Sequence, residues 1–126
     1  MHRLALGLAL LLALAIIAIG ASYVASPTTA TRSFGLPLPE NGPNIAWWLR
    51  LKGVRDIVAG LAVLAFMAWG GPRDVGIVLL AFAIIPVGDM LVILVAKGSA
   101  KSAFGMHGLT AALMVLAAIP MMIGAP

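Results

Sequence analysis

The chain has no cysteine, so a disulfide framework, a thiol nucleophile and a Cys-ligated metal site are all excluded. Charge is scarce as well: 10% of its residues are Asp, Glu, Lys or Arg, against about 25% in ordinary soluble domains. No serine lies in a nucleophile motif, which argues against Ser-based acyl chemistry. No internal repeat is evident, and this weakens an inverted-repeat transporter. What fills the 126 residues instead is hydrocarbon, with 63% hydrophobic residues and a mean hydropathy of +1.13. A water-soluble enzyme, a disordered chain and a nucleic-acid-binding module are thereby excluded. Eight Lys and Arg against four Asp and Glu give a formal charge of +4. These basic residues flank apolar stretches, so anionic lipid headgroups are their counterpart and no nucleic-acid partner is expected.

A hydrocarbon core about 30 Å thick needs roughly 20 apolar residues in a helix, and four stretches qualify. The sequence predicts an all-α, integral membrane four-helix bundle forming one domain over residues 1–126, with helices at about 4–25, 46–70, 74–96 and 102–123. The first could be a signal peptide with Ala18-Ile19-Gly20 as a cleavage region, but its apolar run is long and Pro27 would block cleavage after Ser26. It reads as a retained helix. The second opens on Trp47-Trp48-Leu49-Arg50-Leu51-Lys52 and becomes purely apolar only from Ile57. The third holds Asp89 just after Pro86-Val87-Gly88 and is expected to kink near Pro86. The fourth carries His107 near its start and Pro120 near its end.

The one long connection, residues 27–45, contains Phe34-Gly35-Leu36-Pro37-Leu38-Pro39 and then Glu40-Asn41-Gly42-Pro43-Asn44. Its apolar residues predict that it lies across the bundle mouth. Short turns at Gly70-Gly71-Pro72-Arg73-Asp74 and Lys97-Gly98-Ser99-Ala100-Lys101 make helices 2, 3 and 4 antiparallel neighbours. Arg32, Lys97 and Lys101, with Arg50 and Lys52 in reach of the same face, outnumber Arg3 and Arg73 opposite. The positive-inside rule then places the long-loop face in the cytoplasm and both termini outside, in the inner membrane if the source is bacterial.

Ionisable residues within the helices are the informative ones, because a charge near the bilayer centre costs about 2.5–3.5 kcal/mol on the mildest scale. Arg55 and Asp56 lie about 14 Å into helix 2, Asp89 about 10 Å and His107 about 8 Å from the same face, at about 1.5 Å per residue. Tyr23, Arg50, Lys52, Arg55, Asp56, Asp89 and His107 therefore share the half nearest the long loop. Gly53, Asp56 and Gly60 form one stripe on helix 2, and small residues let helices approach closely in membranes. That stripe should face inward, with Arg55 about 100° away. On helix 4, Ala103, His107, Thr110, Ala111 and Met114 form a second inward stripe, and Asp89 beside His107 makes a carboxylate–imidazole pair. The bland alternative is that Arg55 pairs with Asp56 or Asp89 to lock helix packing and that His107 bonds a backbone carbonyl. Trp47 and Trp48 read first as an interfacial aromatic belt, with the mouth of a pocket as the alternative. His2 reads as a terminal bystander, the Met residues as packing, and no metal or cofactor is assigned.

Lys52-Gly53-Val54-Arg55-Asp56-Ile57-Val58-Ala59-Gly60, Pro86-Val87-Gly88-Asp89 and His107-Gly108-Leu109-Thr110-Ala111 resemble the small four-helix membrane proteins of domain-of-unknown-function family 4267. Arg32-Ser33-Phe34-Gly35-Leu36-Pro37 is similar to that family's Arg-x-Phe-Gly segment, and the resemblance covers the chain from about Ala30 onward. It implies a fold and a set of functional positions without naming a reaction.

Three functions fit these residues. The sharpest is a membrane-embedded site or enzyme for a lipophilic small molecule. Asp89 and His107 would serve as acid and base, Asp56 as a second carboxylate and Arg55 as a stabiliser of developing negative charge. Tyr23, Trp47, Arg50, Lys52 and Thr110 would contact the ligand, and isomerisation or epoxide opening suits the set. Proton-coupled transport by a homo-oligomer ranks lower, because helix 1 has no acid and the apolar half offers no polar path. A structural or accessory subunit whose charges only fix packing is the third.

Overall fold

A computed structural model describes residues 2–37 and 42–124, the His2 side chain excepted. Leu38, Pro39, Glu40 and Asn41 of the long loop, and the reading of His2, lie outside the described residues. The described chain is helical, in the order α1 (His2–Ala25), α2 (Pro27–Thr31), α3 (Ile45–Trp69), α4 (Pro72–Phe82), α5 (Ile84–Val95) and α6 (Ala100–Ser102). A π-helical segment (Ala103–Gly108) and α7 (Leu109–Ile123) complete it. By length and composition three spans suit a membrane crossing: Arg3–Ala25, Pro72–Val95 and Ala100–Ile123. The second of these joins α4 to α5, and the third joins α6 to α7. Helix α3 has 25 residues, about 37 Å at 1.5 Å per residue, but Arg50, Lys52, Arg55 and Asp56 crowd its first half.

Three boundaries differ from the sequence reading. Pro27 ends α1 but also starts a short helix: it is the first residue of α2, where its missing N–H is no loss, and Thr31 Oγ1 donates to its carbonyl at 2.6 Å. So the long connection is helical in its first five residues. The third segment breaks at Ala83, three residues before the expected kink. Pro86 has no N–H to offer the preceding turn, so the interruption falls upstream of the ring. The last segment starts at Ala100, with the Ser99 hydroxyl accepting from the Ser102 N–H at 3.2 Å, and widens at once into the π-helical segment.

Helix α1 runs closely along α3 because glycines line the crossing. A Cβ on Gly53 would stand 2.5 Å from the Gly20 carbonyl oxygen, and one on Gly60 would stand 2.7 Å from that of Ala13. The other leaf is α4 and α5 packed on the π segment and α7. At the end remote from the long loop the leaves meet in a core of Ala5, Ala9, Ala13, Val63, Val75, Leu79, Ala117, Ala118 and Met121. No residue of that core is polar. Toward the loop the leaves part, and α3 and α5 nowhere pack against each other among the described residues.

Candidate functional site

Where the leaves part they enclose a cavity of about 510 Å³, within the range of about 300–1,000 Å³ usual for small-molecule sites. Its deep walls are apolar, from Leu12 and Ile16 on α1 through Val63 on α3 to Leu79, Phe82 and Met114 on the other leaf. Its outer end is polar, with Tyr23, Lys52, Asp56, Asp89, His107 and Thr110 all on the lining. Of the groups that the sequence places in one half of the bundle, Tyr23, Lys52, Arg55, Asp56, Asp89 and His107 line this one space, and Arg50 does not.

The stripe of Gly53, Asp56, Gly60 and Val63 is buried, so Asp56 faces inward from the middle of α3. Its partner is Lys52, one turn earlier, at 2.6 Å between Nζ and Oδ2. The Lys52 ammonium also lies over two rings, 4.4 Å from the centre of Tyr23 and 5.1 Å from that of Phe34. An ammonium so placed exchanges much of its water for a carboxylate and two aromatic faces. Arg55 forms no ion pair among the described residues. It is exposed on the cavity rim, one residue out of the inward stripe. Asp56 therefore pairs with a lysine of its own helix, and the alternative in which Arg55 locks the packing through Asp56 or Asp89 is not what the described residues show.

Asp89 approaches from α5, with Oδ2 3.5 Å from His107 Nδ1. The other ring nitrogen settles the tautomer. His107 Nε2 stands 3.0 Å from the Phe34 carbonyl oxygen, which can only accept, so Nε2 carries a hydrogen and donates. A neutral imidazole then turns a bare Nδ1 toward Asp89, and a charged one turns an N–H toward it. A proton at this gap would have Asp89 Oδ2 and His107 Nδ1 as its two possible seats.

Phe34 holds this arrangement from the loop. Its ring meets the His107 ring edge-on at 4.7 Å between centres, and the Lys52 ammonium lies 5.1 Å from its centre. Gly35, at φ +105°, lets the chain turn behind it, and the Ser99 N–H donates to the Gly35 carbonyl at 2.7 Å. The loop is thus clasped to the turn after α5. That turn closes α5 through Lys97 in the left-handed region at φ 54°, with the Gly98 N–H donating to the Ile93 carbonyl at 2.8 Å.

The ligand contacts expected from sequence divide in two. Tyr23, Lys52 and Thr110 line the cavity; Trp47 and Arg50 do not. Arg50 Nε donates to the Val24 carbonyl at 3.1 Å, which ties α3 to the end of α1, and its guanidinium lies 4.9 Å from the centre of the exposed Trp47 ring on its own helix. Sequence reasoning set Phe34 across the mouth without giving it a contact in the site. The Arg-x-Phe-Gly segment was the one signal that pointed to it. The π segment, which carries His107, was not foreseen; such segments recur at functional sites. Among the described residues no group of His, Asp and Glu is arranged to hold a metal ion.

A family described as a domain of unknown function, DUF4267, matches residues 13–121. The chain belongs to the DUF4267 family. That match takes in Tyr23, Phe34, Lys52, Asp56, Asp89 and His107, so the whole polar end of the cavity lies within the DUF4267 region. Neither the curated proteins nor the solved structures contain a match.

Proposed function

We propose that this DUF4267 protein is a four-helix integral membrane protein that binds a lipophilic small molecule between its two leaves, with Asp89 and His107 as a proton-transfer pair. The fourth crossing is α3, in which Ile57 to Trp69 cover about 20 Å of the hydrocarbon at 1.5 Å per residue and the charged half, turned toward the cavity, completes the passage to the long-loop face. By the positive-inside rule that face is cytoplasmic.

The observation that carries the reading is the cavity itself, apolar in its depth and polar only at its outer end. A role confined to packing fits less well. The Lys52–Asp56 pair lies within one helix and joins no two elements, and the 3.5 Å between Asp89 and His107 is too long for a strong bond. A transport path finds little support in the apolar core that closes the inner end. A group that can give a proton beside one that can take it suits isomerisation or epoxide opening.

The test is to purify the protein in discs of its native membrane and identify what it retains. A lipophile should be enriched over bulk lipid with the wild type. It should fall about tenfold, equivalent to roughly 1.4 kcal/mol of binding, in Ala59→Trp, which fills the cavity, and in Asp89→Asn and His107→Ala. A profile identical to bulk lipid for all four proteins, each folded, would overturn the reading.

A further inference from the structure

The hydroxyls around the cavity are not equivalent. Ser22 donates to the Ile19 carbonyl and Thr110 to that of Met106, at 2.6 and 2.7 Å, so each is committed to its own helix. Tyr23 is different. Only 3% of the residue is exposed, it lines the cavity, and its hydroxyl makes no hydrogen bond among the described residues. Yet no described side-chain polar atom is both sealed from solvent and unpartnered. The hydroxyl of a ring this deeply buried therefore keeps its access through the cavity it lines. A hydrogen-bond donor held there without a partner is a position built for something that accepts.

The charges say what kind of acceptor. Lys52 and Arg55 stand against Asp56 and Asp89 on the lining, two of each sign, and Lys52 is already engaged with Asp56 and two rings. A ligand carboxylate would bring a third negative charge to two aspartates; an ammonium would bring a third positive one. At the Tyr23 end the carboxylate would meet the two aspartates while the unpaired Arg55 stands out on the exposed rim, and the ammonium would meet Lys52, whose Nζ lies 4.4 Å from the centre of the Tyr23 ring. An uncharged oxygen meets neither difficulty. It can accept from Tyr23, and a hydroxyl can also donate to Asp89.

We propose that the ligand is an uncharged lipophile with an oxygen function at one end, an alcohol, ketone or epoxide, whose oxygen is bound by the Tyr23 hydroxyl beside Asp89 and whose hydrocarbon lies along the deep apolar walls. This rests on the cavity being a lipophile site. Its way in is sideways. Arg55 on α3 and Ile85 on α5 line the cavity while remaining exposed, and the two helices do not pack together. Phe34 occupies the mouth, so the gap between α3 and α5 faces the acyl chains from which such a molecule would come.

The experiment uses the full chain in phosphatidylcholine nanodiscs and four matched probes: tetradecanol, tetradecanoate, tetradecylammonium and tetradecane. Binding is read by native mass spectrometry against empty discs. Tetradecanol should bind about tenfold more tightly than either charged probe, and Tyr23→Phe should weaken it about fivefold, the loss of one hydrogen bond, while leaving tetradecane unchanged. Tighter binding of a charged probe, or equal tetradecanol binding by wild type and Tyr23→Phe, would overturn this inference and leave the lipophile site standing. A parallel loss of tetradecane in the variant would also overturn it, because the hydroxyl would then be acting on the fold. No binding of any probe would remove both.

Discussion

Each charged residue of the cavity solves its burial differently, and the solutions predict different costs. Asp56 has one strong partner, so Asp56→Ala leaves the Lys52 ammonium beneath two rings with no counter-ion. Removing one member of a buried pair costs about 3–5 kcal/mol, and the side-chain exposure of Lys52, 31%, moves the expectation to about 3 kcal/mol or below. Lys52→Met, which strands the more buried carboxylate, should cost more. Unfolding titrations in mixed micelles check the order. Asp56 was legible because a spacing of four and seven residues fixes one face of a helix by periodicity alone. The depth of Asp89 and His107 was legible by counting from the ends of their helices. That His107 would bond a main-chain carbonyl was one of the two readings of that residue; which residue bears the carbonyl was not legible. His107 leans on the carbonyl of Phe34, and a main-chain oxygen is the same whatever residue bears it.

At the scale of elements, glycine separates positions that are crowded from positions that are merely small. In α5, Gly88 has nothing within 4 Å of where a Cβ would stand, so Gly88→Ala should be neutral or stabilise by up to about 1 kcal/mol through helix propensity. Gly60→Ala should instead force α1 from α3 and cost about 1–3 kcal/mol, as overpacking does. Gly35→Ala joins a left-handed backbone to a Cβ 2.6 Å from that of Ser102. It should unseat the loop, remove the Phe34 carbonyl from His107 and cost a further 1–2 kcal/mol or so. Thermal shifts of the three variants in one detergent provide the comparison. The small-residue stripe on α3 could be read from the sequence because helix contacts in membranes favour such stripes. The π segment could not, since one extra residue in a turn alters which face His107 presents without altering the composition of Ala103 to Gly108. The break at Ala83 belongs with it: Pro86 announces a disturbance, and its position depends on which carbonyl loses a donor.

For the whole molecule, the absence of native cysteine makes the proposed orientation easy to test. Single cysteines replacing Ala100, beside the loop face, and Pro72, on the opposite face, can be offered a membrane-impermeant maleimide in intact cells. The Pro72→Cys protein should label at once and Ala100→Cys only after the cells are opened; the reverse pattern would invert the orientation. Three of the long spans were readable from hydropathy alone. Helix α3, placed at about 46–70 from the sequence and found at Ile45–Trp69, stood out less by hydropathy, because the residues that furnish the cavity are the ones that dilute its apolar character.

The unpacked seam between α3 and α5 opens the proposed site to the bilayer, and a lipophile of the proposed kind is best described by its affinity from lipid. Such a molecule partitions almost wholly into the bilayer, so the concentration the site meets is the one in the surrounding lipid. Its occupancy then depends on mole fraction in the bilayer, and a dissociation constant quoted per litre of buffer contains the partition coefficient as a hidden factor. Two ligands bound equally well by the protein would differ on that scale by their oiliness alone. Doubling the lipid at fixed ligand would halve occupancy far from saturation, with no change in any contact between ligand and chain.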